Sequence, residues 1–142
     1  MIAYLDSSVI LRVLLRQLDA LPEWNQIELG VASILVQVEC LRTLDRLRLR
    51  SGLSDEAVAR RREAVFQVME YLEILGLDRV VLDRASQPFA TQLGTLDAIH
   101  LASALLWRET TGQDLVMATH DGALGKAARS MGLKVCGISP TG

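Results

Sequence analysis

Short aliphatic runs alternate with longer segments of helical periodicity along this chain, and that alternation restricts it to an α/β domain built on a parallel sheet. Parallel strands cannot be joined by tight turns, so the helical segments serve as the crossovers such a sheet requires. The sequence predicts strands at Ile2–Leu5, near Glu28–Val31, and at Arg79–Leu82, Leu115–Ala118 and Lys134–Cys136. Helices are expected at Ser7–Leu15, Ile34–Leu49, Asp55–Leu75, Leu96–Glu109 and Gly122–Met131, with a short one over Asp83–Ala90 interrupted near Pro88. The two longest form an αα-hairpin: in Arg50-Ser51-Gly52-Leu53-Ser54, Gly52 suits a left-handed C-cap, and Ser54 can cap a helix whose first turn carries Asp55 and Glu56. In its second helix Val58, Val65, Met69 and Leu72 make one apolar stripe, away from Arg60, Glu63 and Gln67, so one face should be buried. Thr95 is the expected cap of the helix that follows it, and Pro140 closes the chain.

A chain of 142 residues suits one domain spanning 1–142, able to bury about two-thirds of its unfolded surface. Half of its residues are hydrophobic but only 4% are aromatic, which gives an aliphatic core and argues against an aromatic binding platform. Trp24 and Trp107 are accordingly expected in core or interface packing rather than stacked on a base. The net charge of −2 supplies no global attraction for nucleic acid, so contact with phosphates would need a local basic patch. Cys40 and Cys136 sit among apolar neighbours, as reduced core thiols of a cytoplasmic protein do. No apolar window is long enough to span a bilayer, and Met1 leads into a strand without the features of a leader, so no membrane association is expected.

Four carboxylates carry the chemistry. Asp6 follows the first apolar run, Asp97 opens a helix in Gly94-Thr95-Leu96-Asp97-Ala98, Asp121 follows Thr119-His120, and Glu39 lies inside a helical stretch. Ligand sites of open parallel sheets lie at the carboxyl ends of the strands, where Asp6 and Asp121 fall. Gathered together, four acids make a site for hard divalent cations and phosphodiester hydrolysis. Each aspartate also has an ordinary explanation as an N-cap or dipole partner. Glu39 resists that explanation, because it sits in Ile34-Leu35-Val36-Gln37-Val38-Glu39-Cys40-Leu41 on a helix that should pack on the sheet, where an unpaired carboxylate is costly. A metal or an arginine would resolve that cost. Arg42, Arg46 and Arg50 follow Glu39 at helical spacing, on one face with it. They form either a phosphate track leading to the acids or a solvated edge on which Glu39 pairs with Arg42. Arg60-Arg61-Arg62 could widen the track.

The ordered set of Tyr4-Leu5-Asp6-Ser7-Ser8-Val9-Ile10, Glu39, Leu96-Asp97-Ala98-Ile99-His100-Leu101-Ala102-Ser103-Ala104 and Ala118-Thr119-His120-Asp121 resembles a PIN domain of the VapC-type toxin group, over essentially the whole chain. The resemblance implies a three-layer α/β fold, a parallel sheet of four to five strands with helices on both faces. It also implies an Mg²⁺- or Mn²⁺-dependent endoribonuclease restrained by a cognate antitoxin. Carried over by residue, Asp6, Glu39, Asp97 and Asp121 match the family's metal-binding acids, Thr119 the hydroxyl before the last acid, and Ser8 a small polar position that holds a carboxylate or water. Some relatives carry a further Asp near Ala123, which here is no ligand.

On this reading one or two ions activate water for in-line attack, and no protein nucleophile is needed. His100 and His120 are expected in packing or supporting roles rather than as general bases. A haloacid-dehalogenase-like phosphatase would want a second aspartate where Ser8 stands, whereas a catalytically silent PIN-like module binding RNA or protein is the alternative to an enzyme. The aliphatic faces of the hairpin suggest a homodimer and a groove for an antitoxin segment.

Overall fold

The computed structural model describes residues 1–138, so the expected chain-closing role of Pro140 lies outside the described residues. Five parallel strands, β1 (Ile2–Leu5), β2 (Leu29–Ser33), β3 (Glu73–Leu75), β4 (Val116–Ala118) and β5 (Lys134–Cys136), form one sheet in the order β3-β2-β1-β4-β5. The winding reverses between β1 and β4, whose register pairs Leu5 with Ala118. That reversal places Asp6 and the Thr119–Asp121 turn side by side at the crevice where open sheets bind ligands.

Side-chain alternation along β1 divides the core in two. Ala3 and Leu5 point into a cluster with Val9, Ile10, Val36, Cys40, Leu44 and Val65, beneath α1 (Ser7–Leu14), α2 (Leu35–Ser51) and α3 (Asp55–Tyr71). Tyr4 points to the other face, among Leu101, Leu105, Met117, Leu124 and Ala128, beneath α5 (Thr95–Thr111) and α6 (Gly122–Ser130). Trp107 is buried in this second cluster, and Trp24 is partly buried against the first. Helices on both faces of a five-stranded parallel sheet are the expected three layers.

The hairpin forms as its turn residues dictate. Gly52 takes φ +60° and its amide bonds the Arg48 carbonyl at 3.1 Å, while the Ser54 hydroxyl accepts the Ala57 amide at 3.2 Å. Val65 is fully covered at this interface, with Val68, Met69 and Leu72 partly so.

Four expectations are corrected. Helix α3 stops at Tyr71 rather than Leu75, because Glu73–Leu75 pairs in parallel with Val31–Ser33 and becomes the edge strand β3. The strand expected at Arg79–Leu82 is instead α4 (Arg79–Ala85), whose first turn is closed by the Asp78 carboxylate accepting the Val81 amide at 3.0 Å. Only Val81 of Val80-Val81-Leu82 is buried, a one-in-three pattern that suits a helix, and this helix takes the place of the one expected at Asp83–Ala90. Gly94, not Thr95, occupies the N-cap position of α5, and no side chain caps that end.

Candidate functional site

Asp6 is 5% exposed yet fully engaged. Its Oδ1 accepts the Ser8 hydroxyl at 2.6 Å and the Val9 amide at 3.2 Å, and its Oδ2 accepts the Thr119 hydroxyl. The first bonds make it the N-cap of α1, so capping and membership of an acidic cluster are compatible here. Thr119 is itself buried and accepts the Asp121 amide at 3.0 Å, while Ser8 accepts the His120 amide at 3.0 Å. Two hydroxyls thus stitch the end of β1 to the turn after β4. Asp121 is exposed and caps α6 by accepting the Leu124 amide at 3.0 Å.

The four acids share one electrostatic neighbourhood. Burial raises the Asp97 carboxyl above its ordinary range; Asp121 pushes it further, His100 opposes, and Asp6 and Glu39 add smaller contributions in the upward direction. Cys40 reports the same field from below: its thiol is pushed up to about 12, first by burial and then by Glu39 and Asp6. Cys136 is raised to about 11, chiefly by burial. Among the described residues no lysine or arginine nitrogen lies within 4.0 Å of any of the four carboxylates.

The partner of Glu39 is neither of those foreseen. Its Oε1 meets His100 Nε2 at 2.6 Å, and His100 Nδ1 meets the Tyr4 hydroxyl at 2.8 Å. Arg42 pairs with Asp45 at 3.5 Å, which removes the Glu39–Arg42 alternative. Arg46 donates to the Thr43 hydroxyl at 2.9 Å, and Arg50 is exposed near the hairpin turn. Tyr4 and His100 went unrecognised as a pair, although each carries a signal: Tyr4 lies two residues before Asp6 and so on the same strand face, and His100 lies one helical turn after Asp97. His120 Nδ1–H donates to the Gly137 carbonyl at 2.7 Å. Gly137 itself takes φ +96° against the Thr119 carbonyl, where a Cβ would collide with backbone.

An all-oxygen donor set bearing uncompensated negative charge fits a hard divalent cation in chemistry and in charge. In the geometry shown, no three acidic, histidine or cysteine side chains among the described residues converge closely enough to hold an ion.

This fold and this crevice are those of a PIN domain: the PIN domain family model matches residues 3–129, and the chain belongs to that family. Over 142 residues it is 35% identical to ribonuclease VapC46 of Mycobacterium tuberculosis (strain ATCC 25618 / H37Rv), with 97% of each chain covered. Two solved structures share the fold. A toxin–antitoxin complex from Klebsiella pneumoniae matches with TM-score 0.66 and 14% identity, covering 99% of this chain and 98% of the other. VapBC-1 from nontypeable Haemophilus influenzae matches with TM-score 0.53 and 17% identity, covering 95% and 96%. Among the described residues no helix is long and apolar enough to cross a membrane.

Proposed function

We propose that this chain is a metal-dependent endoribonuclease, the toxin of a toxin–antitoxin pair, acting in the cytoplasm as a homodimer. The observation that carries the reading is the acidic crevice itself: four carboxylates in one field, with no lysine or arginine among the described residues paired with any of them. Membership of the PIN family and 35% identity to a ribonuclease support RNA as the substrate class. Complexes with antitoxins among the proteins of like fold support an antitoxin partner.

Asp6, Asp97, Glu39 and Asp121 would hold Mg²⁺ or Mn²⁺. Such an ion supplies a water acidified for attack on phosphorus and charge stabilisation for the leaving oxygen. The remaining work belongs to the chain. Thr119 and Ser8 fix both oxygens of Asp6, and so set its orientation before any substrate arrives. Arg42, Arg46 and Arg50 would track the RNA backbone toward the crevice. An antitoxin could insert an Arg or Lys among the acids, so metal affinity should fall in that complex. The exposed Val38, Leu49, Phe66 and Tyr71 of the hairpin, with Leu77, Val80 and Leu82 beyond it, supply apolar area for subunit and antitoxin contacts.

The test is cleavage of a pool of cellular RNAs by antitoxin-free protein with Mg²⁺, Mn²⁺ or EDTA, beside an Asp6→Asn/Asp97→Asn variant purified identically. Metal-dependent cutting that vanishes in the variant is expected. Equal cutting by both would assign the activity to a contaminant, and a protein that binds RNA without cutting would be a silent module.

A further inference from the structure

His100 and Tyr4 lie at the centre of the fold, 1% and 0% exposed, and a polar ring in such a place is costly unless both nitrogens are satisfied. Both are. A carboxylate can only accept, so Nε2 carries the proton that bonds Glu39 Oε1 at 2.6 Å. The Tyr4 hydroxyl meets Nδ1 at 2.8 Å and so satisfies the second nitrogen. The ring is thus bonded on both sides, to β1 through Tyr4 and to the acid on α2 through Glu39. Glu39 Oε2 takes no part in these bonds.

The ring also joins two elements that supply acids. His100 is one turn after Asp97 on α5, on the same helical face, whereas Glu39 is on α2 on the other side of the sheet. Glu39 is 22% exposed, and His100 is its one hydrogen-bond partner among the described residues. We infer that His100, fixed by Tyr4, is a positioning residue that holds the Glu39 carboxylate on the α5 side of the crevice and leaves its second oxygen for a divalent cation. The inference rests on the metal-dependent reading proposed above.

The experiment is Mn²⁺ binding to antitoxin-free protein, followed by the electron paramagnetic resonance of free Mn²⁺, for wild type, His100→Leu, His100→Gln and Tyr4→Phe, each checked for a native thermal transition. His100→Leu should lose about 10- to 100-fold in affinity, the usual effect of removing a group that orients a ligand. His100→Gln, whose amide N–H can reach the place of Nε2, should recover most of that loss, and Tyr4→Phe should fall between. Equal affinity in wild type and His100→Leu, or no advantage of glutamine over leucine, would overturn the assignment. The ¹⁵N spectrum of wild type decides even if the leucine variant does not fold. His100 must show a protonated Nε2, and its ring signals must move on saturation with Mg²⁺; an unprotonated Nε2, or a ring indifferent to Mg²⁺, would overturn it. A wild type that takes up no Mn²⁺ would overturn the metal-dependent reading as well, an outcome distinct from equal binding by wild type and His100→Leu.

Discussion

Thr119→Val keeps the shape of a buried side chain and deletes only its hydroxyl, which makes the cost calculable. Two bonds disappear: the one donated to Asp6 Oδ2, and the one accepted from the Asp121 amide at 3.0 Å. The first is a hydrogen bond to a charged, 5% exposed carboxylate, worth about 1.5–3 kcal/mol. The second serves an amide of an exposed residue that water can reach, so its loss costs about 0.5–1 kcal/mol. The sum, about 2–4 kcal/mol, is to be measured by urea unfolding in EDTA. With a slope of about 2 kcal/mol/M, the midpoint should fall by about 1–2 M. Thr119→Ser retains the hydroxyl and deletes one methyl group, and should cost about 1 kcal/mol. Adding Asp6→Asn to Thr119→Val should cost less than the two single changes summed, because the charge left without its donor is gone. A Thr119→Val protein within 0.5 kcal/mol of wild type would refute the claim that this hydroxyl carries the buried charge of Asp6.

In metal-free protein the raised Asp97 carboxyl binds protons at higher pH folded than unfolded, so stability should fall as pH rises from the ordinary carboxylate range through the folded value. Asp97→Asn should flatten that part of the profile and be the more stable protein at pH 8 in EDTA; an unchanged slope in urea titrations would refute it. Gly137→Ala should destabilise by at least 2 kcal/mol, since the substitution adds a Cβ at φ +96° against the Thr119 carbonyl. An unaltered thermal transition would show that the turn relaxes freely. Arg46→Glu, made in an Asp6→Asn background to prevent cutting, should weaken RNA binding and reduce the salt slope by about one unit, and an unchanged slope would remove Arg46 from the phosphate track.

The alternation of apolar runs with helical segments was enough to read an α/β domain on a parallel sheet, because parallel strands need helical crossovers; that helices cover both faces came from the family resemblance. The edge was not readable in the same way. Leu72 continues the apolar stripe of α3, and nothing local says that the helix must end before it; the pairing of Glu73–Leu75 with β2 decides that. Likewise Val80-Val81-Leu82 has the composition of a strand, and the Asp78 cap overrides it. Placing Asp6 and Asp121 at strand ends needed only the short apolar runs before them. The partner of Glu39 could not be found so directly, because His100 lies 61 residues away and a contact at that separation leaves no periodic trace.

Strand β1 lies in the middle of the sheet and carries both Tyr4 and the turn into Asp6. Amides in such a strand exchange with solvent through near-global opening, whereas those of a peripheral element exchange through smaller excursions. Glu39 rides on α2, part of a hairpin that lies on one face of the sheet and ends in a glycine turn. The same helix buries Val36, Cys40 and Leu44 in the core, so its backbone can leave the sheet only by an opening that uncovers that half of the core. The acids that follow β1 and ride on α2 are thus tied to the two halves of the core, and the crevice keeps its backbone frame as long as the fold does.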